Sequence, residues 1–368
     1  MHIRENIPLA PFTTFGIGGP ARWFAEAAGE DDVAEAAGWS TERNIPLFVL
    51  GGGSNLLISD AGFNGLVLRI ALGGITGFDN GPVDSGPDDS GLDGNGRRER
   101  ILQAGAGEDW DLCVQRSVEQ NWAGLECLAG IPGTVGGTPV QNVGAYGQEV
   151  ASTIHRVRAF DLRERSFVKL SGAECGFAYR RSRFNCADRG RFIVTRVDYR
   201  LTAGGAPTLR YAGVERELEA AGVASPTLAE TAEAVRRIRR SKGMLIVAGD
   251  PDCRSAGSFF KNPVISEDLF QKIAAGGAAP PRFPVGSGVD DKWWVKIPAA
   301  WLIEQAGFHK GYMLDAAGIS TRHTLALVNR GHATAQEILA LAQRIAGAVE
   351  DRFDIRLERE PVLLGFDS

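Results

Sequence analysis

No two cysteines in this chain are spaced as C-x-x-C, and only five occur among 368 residues. Cys113, Cys127, Cys175, Cys186 and Cys253 are odd in number and widely scattered. That excludes a zinc framework or a disulfide scaffold and predicts reduced thiols. Histidine is as scarce, and neither His309 nor His332 has a partner at metal-ligand spacing, so no metal site is expected. Basic charge is not in excess. Lys and Arg total 40 against 45 Asp and Glu, a net charge of −5, which argues against broad nucleic-acid binding. No apolar run reaches the ~18 residues of a membrane span. The opening MHIRENIPLAPF has no apolar h-region, so no signal peptide and a cytoplasmic, membrane-free protein are expected. The 44% hydrophobic and 23% charged composition is that of a soluble globular chain, long enough for two or three domains. A monomer is the starting expectation.

Glycine, by contrast, is plentiful and unevenly placed. Leu128 to Gly147, LAGIPGTVGGTPVQNVGAYG, holds six glycines and two prolines but no Lys, Arg, Asp or Glu. A solvated glycine-rich loop would normally carry charge. Here the glycines alternate with Ile, Val, Ala and Tyr, so the backbone is expected to pack closely against something large and apolar. Pro46 to Ile58, PLFVLGGGSNLLI, repeats the pattern on a smaller scale: an apolar strand, three glycines, Ser54, Asn55 and a second apolar run. A strand ending in such a turn offers a nest of amides to a pyrophosphate. The motif is not G-x-x-x-x-G-K-[ST], and Leu56 to Ile58 continue as a strand rather than a helix, so it is neither a P-loop nor a Rossmann turn. Two such loops predict a dinucleotide held from two sides, its pyrophosphate on amides of Gly51 to Asn55 and Gly130 to Gly137.

The remaining chain reads as alternating elements. Helices are expected over Glu30 to Arg43, Glu108 to Asn121 (with Trp110, Cys113, Val114 and Val118 on one face), and Thr227 to Lys242. Strands are expected at Pro46 to Leu50, Gly65 to Ile70, Ile101 to Gly105, Ile154 to Asp161, Ser166 to Leu170 and Phe192 to Leu201. A further strand-like stretch surrounds Phe177. Thr334 with Glu337 three residues on is a capping box opening a final helix, buried through Ile338, Leu341, Ala342, Ile345 and Val349. The basic run Arg236, Arg237, Arg239, Arg240, Lys242 reads as a solvated last turn. Asp79 to Gly96 has five aspartates, five glycines and two prolines, and cannot bury enough apolar area to order itself. It is expected to be a dispensable mobile hairpin insertion, with calcium binding by its aspartates the remote alternative, since they lack EF-hand spacing and the closing glutamate.

Together with TTFGIGGPA at Thr13 to Ala21, the two glycine loops resemble the UDP-N-acetylenolpyruvoylglucosamine reductase (MurB) family, from about Asn6 to the C-terminus. GSFFKNP at Gly257 to Pro263 is a block characteristic of that family. The resemblance implies an α+β protein with a MurB-like FAD-binding fold: two α+β FAD-binding subdomains and a C-terminal α/β substrate domain. The expected divisions are 1–70 joined by 350–368, 71–235 carrying the insertion, and 236–349.

The resemblance further implies noncovalent FAD, with NADPH as hydride donor and a UDP-sugar as substrate. Cofactor contacts are expected at Gly51, Gly52, Gly53, Ser54, Asn55, Gly130, Ile131, Pro132, Gly133, Gly136, Gly137, Gln141, Asn142, Gly144, Ala145 and Tyr146. The catalytic group would be Arg180, whose fork can hold a carboxylate, Glu360 in the final L-x-x-E element, and Ser258 as proton donor. Alone, a Gly-Ser turn, a Tyr-Arg pair and a terminal charged cluster would each read as structural. Adjacent Arg181 departs from the acidic or small residue common in relatives. Tyr179, Tyr211, Lys242, Asn262 and His323 match substrate contacts, and Tyr211 marks the longer subclass. Two other readings remain at this point: a different flavin oxidoreductase of the same fold, and a nucleotide sensor without catalysis. The first commonly tethers FAD through His or Cys, which Gly51 to Ile58 lacks; intact Arg180, Ser258 and Glu360 oppose the second.

Overall fold

The computed structural model describes residues 1–79, 96, 98–277, 279–287 and 293–366. The body of the Asp79 to Gly96 insertion therefore lies outside the described residues.

Chain contacts divide the protein into two compact units. Unit one comprises Met1–Ile7, Ala21–Gly53 and Asn64–Ser241; unit two comprises Pro8–Pro20, Ser54–Phe63 and Lys242–Ser368. Most of the two expected FAD subdomains falls in unit one. The C-terminal segment, expected to join residues 1–70, belongs to unit two, and its strand Val362–Leu364 pairs in parallel with Leu56–Ile58 of that unit.

Among the described residues unit one contains the two-stranded pair Gly144–Ala145 and Gln148–Glu149 and two larger sheets. One has the order Arg4–Pro8, Pro20–Ala27, Phe63–Ile70, Leu47–Leu50, the last two running parallel. The other is a six-stranded antiparallel sheet built round the long strand Phe192–Ala203. Ile154–Asp161 lies on one side of that strand and Glu99–Gly105 on the other, with Ser166–Ser171 and Ile75–Asp79 outermost. Strands rich in Val, Ile and aromatic residues suit a half-buried pleated surface. Helices α1 (Glu30–Glu42), α2 (Trp110–Glu119), α3 (Ala212–Ala220) and α4 (Leu228–Ser241) complete the unit. α2 starts where Asp109 accepts a hydrogen bond from the Leu112 N–H at 2.9 Å, and it buries Trp110, Cys113 and Val114. These side chains share one core with Tyr199, Val197, Leu102 and Leu128.

Unit two packs two three-stranded sheets with α5 (Glu267–Ala275), α6 (Ala299–Gln305) and α7 (Ala335–Phe353). The capping box of α7 forms as the spacing predicts: Thr334 Oγ1 accepts from Glu337 N–H at 3.1 Å, and Glu337 Oε2 accepts from Thr334 N–H at 2.6 Å. Asp60 accepts from Ala335 N–H at 2.9 Å, placing negative charge at the positive end of the helix. Ile338, Leu341, Ala342, Ile345 and Val349 are buried.

Two local expectations are corrected. There is no strand around Phe177; a 3₁₀ turn, Ala173–Cys175, ends at Gly176 with φ +59. A short apolar run does not by itself separate strand from turn, and the left-handed glycine breaks it here. Nor is the end of α4 wholly solvated: Arg240 and Ser241 are exposed, but Arg239 is only 5% exposed. No described helix is long and apolar enough to cross a membrane.

Candidate active site

In unit one the loop after Leu47–Leu50 meets the long glycine block backbone to backbone. A Cβ on Gly52 would lie 2.6 Å from Gly133 Cα, and one on Gly51 would lie 2.8 Å from Thr134 Oγ1. Gly136 is pressed against Ala106, 2.7 Å from where its own Cβ would sit. Part of the close approach expected for a ligand is thus taken up within the protein. A Cβ on Gly137 would meet nothing within 4 Å.

The hydrogen bonds sort the two loops. In the long block the Gly130 N–H is taken by Asp111 Oδ1 at 2.6 Å, Val135 N–H by Glu108 O, Gly136 N–H by Ala106 O and Gly137 N–H by Thr134 O. The expectation that the amides from Gly130 to Gly137 serve a pyrophosphate is narrowed accordingly, to Ile131, Gly133 and Thr134. The N–H groups of Gly51, Gly52 and Gly53 find no acceptor among the described residues. Thr134 Oγ1, beside Gly51, is buried and unpartnered. Three successive amides without a protein acceptor and the buried orphaned hydroxyl form a nest that fits an anionic dinucleotide such as FAD.

Further along the block, Asn142 is buried with φ +45. Its amide donates to Glu149 Oε2 and Ala178 O, both at 3.0 Å, and accepts from Ala151 N–H at 3.1 Å. That side chain braces the loop. Ile131 and Ala145 pack partly buried against the core, and Pro132 and Gln141 are half-buried. Tyr146, φ +51, sets its ring edge-on to Tyr211 with centroids 5.4 Å apart. Burial raises the Tyr146 pKa, and hydrogen-bonded Arg239 opposes the rise. Arg239 Nε also donates to Gly130 O at 2.8 Å, and Arg236 pairs with Asp111 at 2.8 Å. Arg239 therefore grips the glycine block directly and Arg236 through Asp111, a role that the composition of the run concealed.

Tyr179 and Arg180 form the tip of a tight hairpin closed by reciprocal 3.0 Å bonds between Ala178 and Arg181. Arg180 has φ +57, donates from Nη1 to Gly144 O at 2.8 Å, and holds its guanidinium 5.5 Å from the Tyr179 ring. The hairpin thus ties the expected catalytic arginine to the glycine block. Tyr211, 39% exposed, stands at the N-cap of α3.

Unit two holds Ser54, Asn55, Lys242, Ser258, Asn262, His323 and Glu360. The GSFFKNP segment pairs with the C-terminal charged cluster: Glu360 N–H donates to Phe259 O at 2.8 Å and Lys261 N–H to Glu358 O at 2.9 Å. Ser258 is half-buried just before Phe259 and Phe260, which are buried and stacked edge-on. Asn55 Nδ2 donates to Glu360 O at 3.2 Å, and its carbonyl accepts from Val362 N–H. One pairing therefore brings the Ser258 and Glu360 segments together. Asn262 Oδ1 accepts from Ala299 N–H at 2.9 Å and so caps α6.

Buried Asp252 stands beside Gly243, the chain neighbour of Lys242, and bonds Thr321 and Arg322, just before His323. It accepts from Thr321 Oγ1 at 2.6 Å, Arg322 Nε at 3.0 Å and Arg330 Nη2 at 2.8 Å. Burial pushes its pKa up, but these partners outweigh it and hold the carboxyl below the ordinary value. A Cβ on Gly243 would come within 2.9 Å of Asp252 Cβ, which places the Lys242 turn on the His323 turn. Thr134, Arg239, Asp111 and Asp252 escaped sequence reasoning. Only Thr134, inside the glycine block, carried a local signal.

Two domain families match the chain. Residues 21–165 match the FAD binding domain, and residues 250–364 match the UDP-N-acetylenolpyruvoylglucosamine reductase C-terminal domain. The chain is 45% identical to the UDP-N-acetylenolpyruvoylglucosamine reductase of Streptomyces coelicolor, over 98% of this chain and 90% of that one. It is 42% identical to the corresponding protein of Thermobifida fusca, over 98% of both. The crystal structure of the Thermus caldophilus reductase (MurB) superposes with a TM-score of 0.65 at 26% identity, covering 99% of this chain and 100% of that one.

Proposed function

The chain belongs to the UDP-N-acetylenolpyruvoylglucosamine reductase family, and on that premise we propose that Arg180, Ser258 and Glu360 carry the substrate half of its reaction. The reaction is NADPH-dependent, FAD-mediated reduction of UDP-N-acetylenolpyruvoylglucosamine to UDP-N-acetylmuramate, a step in peptidoglycan precursor synthesis. In this reading the protein works in the cytoplasm as a monomer.

Gly51, Gly52, Gly53 and Thr134 hold the cofactor's pyrophosphate region through unspent donors. FAD, when bound, supplies the hydride exchange between NADPH and the substrate's vinyl group. Arg180 binds the substrate carboxylate with its planar fork and stabilises the charge that moves onto it. Glu360 orients that same enolate-like end. Ser258 donates the proton to the carbon bearing the ether oxygen. A serine hydroxyl is a weak acid, and it suffices only because the carbanion it meets is strongly basic. Tyr179, Tyr211, Lys242, Asn262 and His323 contribute to holding the UDP-sugar.

The observation that supports this reading is the backbone pairing of Glu360 with Phe259, the residue that follows the proposed proton donor. The test supplies flavin-loaded protein with NADPH, with and without the enolpyruvyl substrate. NADPH consumption should depend on that substrate and yield UDP-N-acetylmuramate, identified by mass. Consumption that ignores the substrate, or product of another mass, would overturn the assignment.

A further inference from the structure

Glu126 takes no part in the roles assigned above, yet it is fully buried. It opens the short 3₁₀ turn Glu126–Leu128, immediately before the glycine block. Its Oε2 accepts from Gly124 N–H at 2.8 Å. Its Oε1 accepts from Thr208 N–H at 2.8 Å and from Gln148 Nε2 at 3.1 Å. A buried carboxylate is costly unless it is hydrogen-bonded, and an apolar side chain would fill the space more cheaply. What the carboxylate provides is directional: it holds two segments distant in sequence at one point.

The first segment is Thr208. Beyond its N–H bond to Glu126, its carbonyl accepts from Cys127 Sγ at 3.1 Å and its Oγ1 from Gln148 Nε2 at 3.2 Å. Three atoms of one residue are therefore pinned, three positions before Tyr211 at the head of α3. The second segment is Gln148, whose Oε1 accepts from Cys127 N–H at 2.9 Å. It lies two positions after Tyr146, in the hairpin where Gln148 faces Ala145. Between the pins the segments touch: a Cβ on Gly147 would lie 2.8 Å from Arg210 Cβ. The Tyr146 and Tyr211 rings then meet edge-on.

We propose that Glu126 is a positioning residue that locks Tyr146 and Tyr211 into one aromatic pair and thereby sets the affinity for the UDP-sugar. This rests on the reading of Tyr211 as a substrate contact. Glu126 touches no substrate itself; it acts through Thr208 and Gln148.

The test is Glu126→Gln in the flavin-loaded full chain, which keeps the volume but turns an amide N–H toward N–H donors. Loss of bonds of this kind predicts a rise of about ten- to hundredfold in KM for the enolpyruvyl substrate. kcat and the rate of flavin reduction by NADPH should stay within about twofold. In a Tyr211→Ala background the same change should add less than about twofold, because coupled residues are not additive. Trypsin cleavage after exposed Arg210 should accelerate about tenfold, a readout that needs no substrate. An unchanged KM, or full additivity with Tyr211→Ala, would overturn the proposal. If Glu126→Gln does not fold, Gln148→Met decides the matter by the same criteria. If the wild type fails to turn over the enolpyruvyl substrate, the reaction reading falls by itself. The cleavage rate then judges the lock: faster cleavage supports it, and unchanged cleavage overturns it.

Discussion

Arg239 Nε donates a 2.8 Å hydrogen bond to the Gly130 carbonyl, while Asp111 takes the N–H of the same glycine at 2.6 Å. The first glycine of the block is thus gripped at both its amide and its carbonyl by side chains from α4 and α2. Burial draws the guanidinium pKa below its ordinary value, and Tyr146 works against that shift. Arg239→Met removes its bonds to the Gly130 carbonyl and to Tyr146 and should loosen the loop. At roughly 1.5–3 kcal/mol for a hydrogen bond to a charged group, FAD affinity should fall about ten- to hundredfold. Titration of apoprotein with FAD, followed by flavin fluorescence, measures it. Arg239→Lys should recover part of the loss, because an ammonium lacks the fork. Wild-type affinity in Arg239→Met would remove the residue from the site.

Thr134 Oγ1 is buried without a partner, a cost to the apoprotein. Thr134→Val should therefore leave the apoprotein Tm unchanged or raise it. If the hydroxyl serves the cofactor, FAD affinity should drop about two- to tenfold, the worth of roughly 0.5–1.5 kcal/mol. A lower apoprotein Tm with unchanged FAD affinity would show that the hydroxyl is structural.

Gly52 and Gly137 should respond differently to alanine. At Gly52 the new methyl would press on the Gly133 backbone, and overpacking of this kind costs about 1–3 kcal/mol. Gly52→Ala should lower the apoprotein Tm. At Gly137 the methyl meets only open space, so the fold should be indifferent. A several-fold loss of FAD affinity in Gly137→Ala would then report contact with the cofactor; unchanged affinity would exclude Gly137 from the site.

Ser258 is proposed to act only after hydride has reached the substrate. Ser258→Ala should be reduced by NADPH at a near-normal rate, while reoxidation by the enolpyruvyl substrate slows by ~10²–10⁴. Ser258→Cys should retain part of the second step. Rapid-mixing absorbance of the two half-reactions separates them. Loss of both in the alanine variant would mean that Ser258 shapes the site rather than donating the proton.

Glu30 joins α1 to the six-stranded sheet through a two-pronged bond from Arg158, at 2.6 and 2.7 Å, with Thr195 as a third donor. The Arg158 hydrogen bonds pull its pKa below the ordinary 4.5 against the effect of burial. With the folded value lower than the unfolded one, the unfolded state binds the extra proton first. The stabilisation is complete above about pH 4.5 and is lost as pH falls through the lower folded value. Glu30→Gln should therefore lower the Tm at neutral pH and flatten its fall in this acid range. An identical acid profile in the variant would show that the pair does not govern it.

Local order was legible in the chain because local sequence produces it. The Thr334 box, the Ile338 to Val349 stripe and the strand Ile154–Asp161 are each specified by neighbours within a few turns or one alternation. The blocks around Gly51, Leu128 and Gly257 were legible too, since each lies in one contiguous stretch. The reach of those blocks was not. A glycine looks the same in sequence whether it admits a ligand or another backbone, and only the fold shows that Gly52 faces Gly133.

The sequence by itself determined two uncharged glycine loops and a GSFFKNP block, and the resemblance those blocks carry implied the α+β fold. The tertiary structure alone decided what holds those loops. Five basic residues ending an amphipathic helix carry the same local signal in water or in a core. Burial of Arg239 follows from a carbonyl 109 positions earlier. Glu126 likewise acquires its partners from Gln148 and Thr208, 22 and 82 positions away. Such contacts depend on how distant segments are brought together, and hydrogen-bond direction and desolvation act only once they meet.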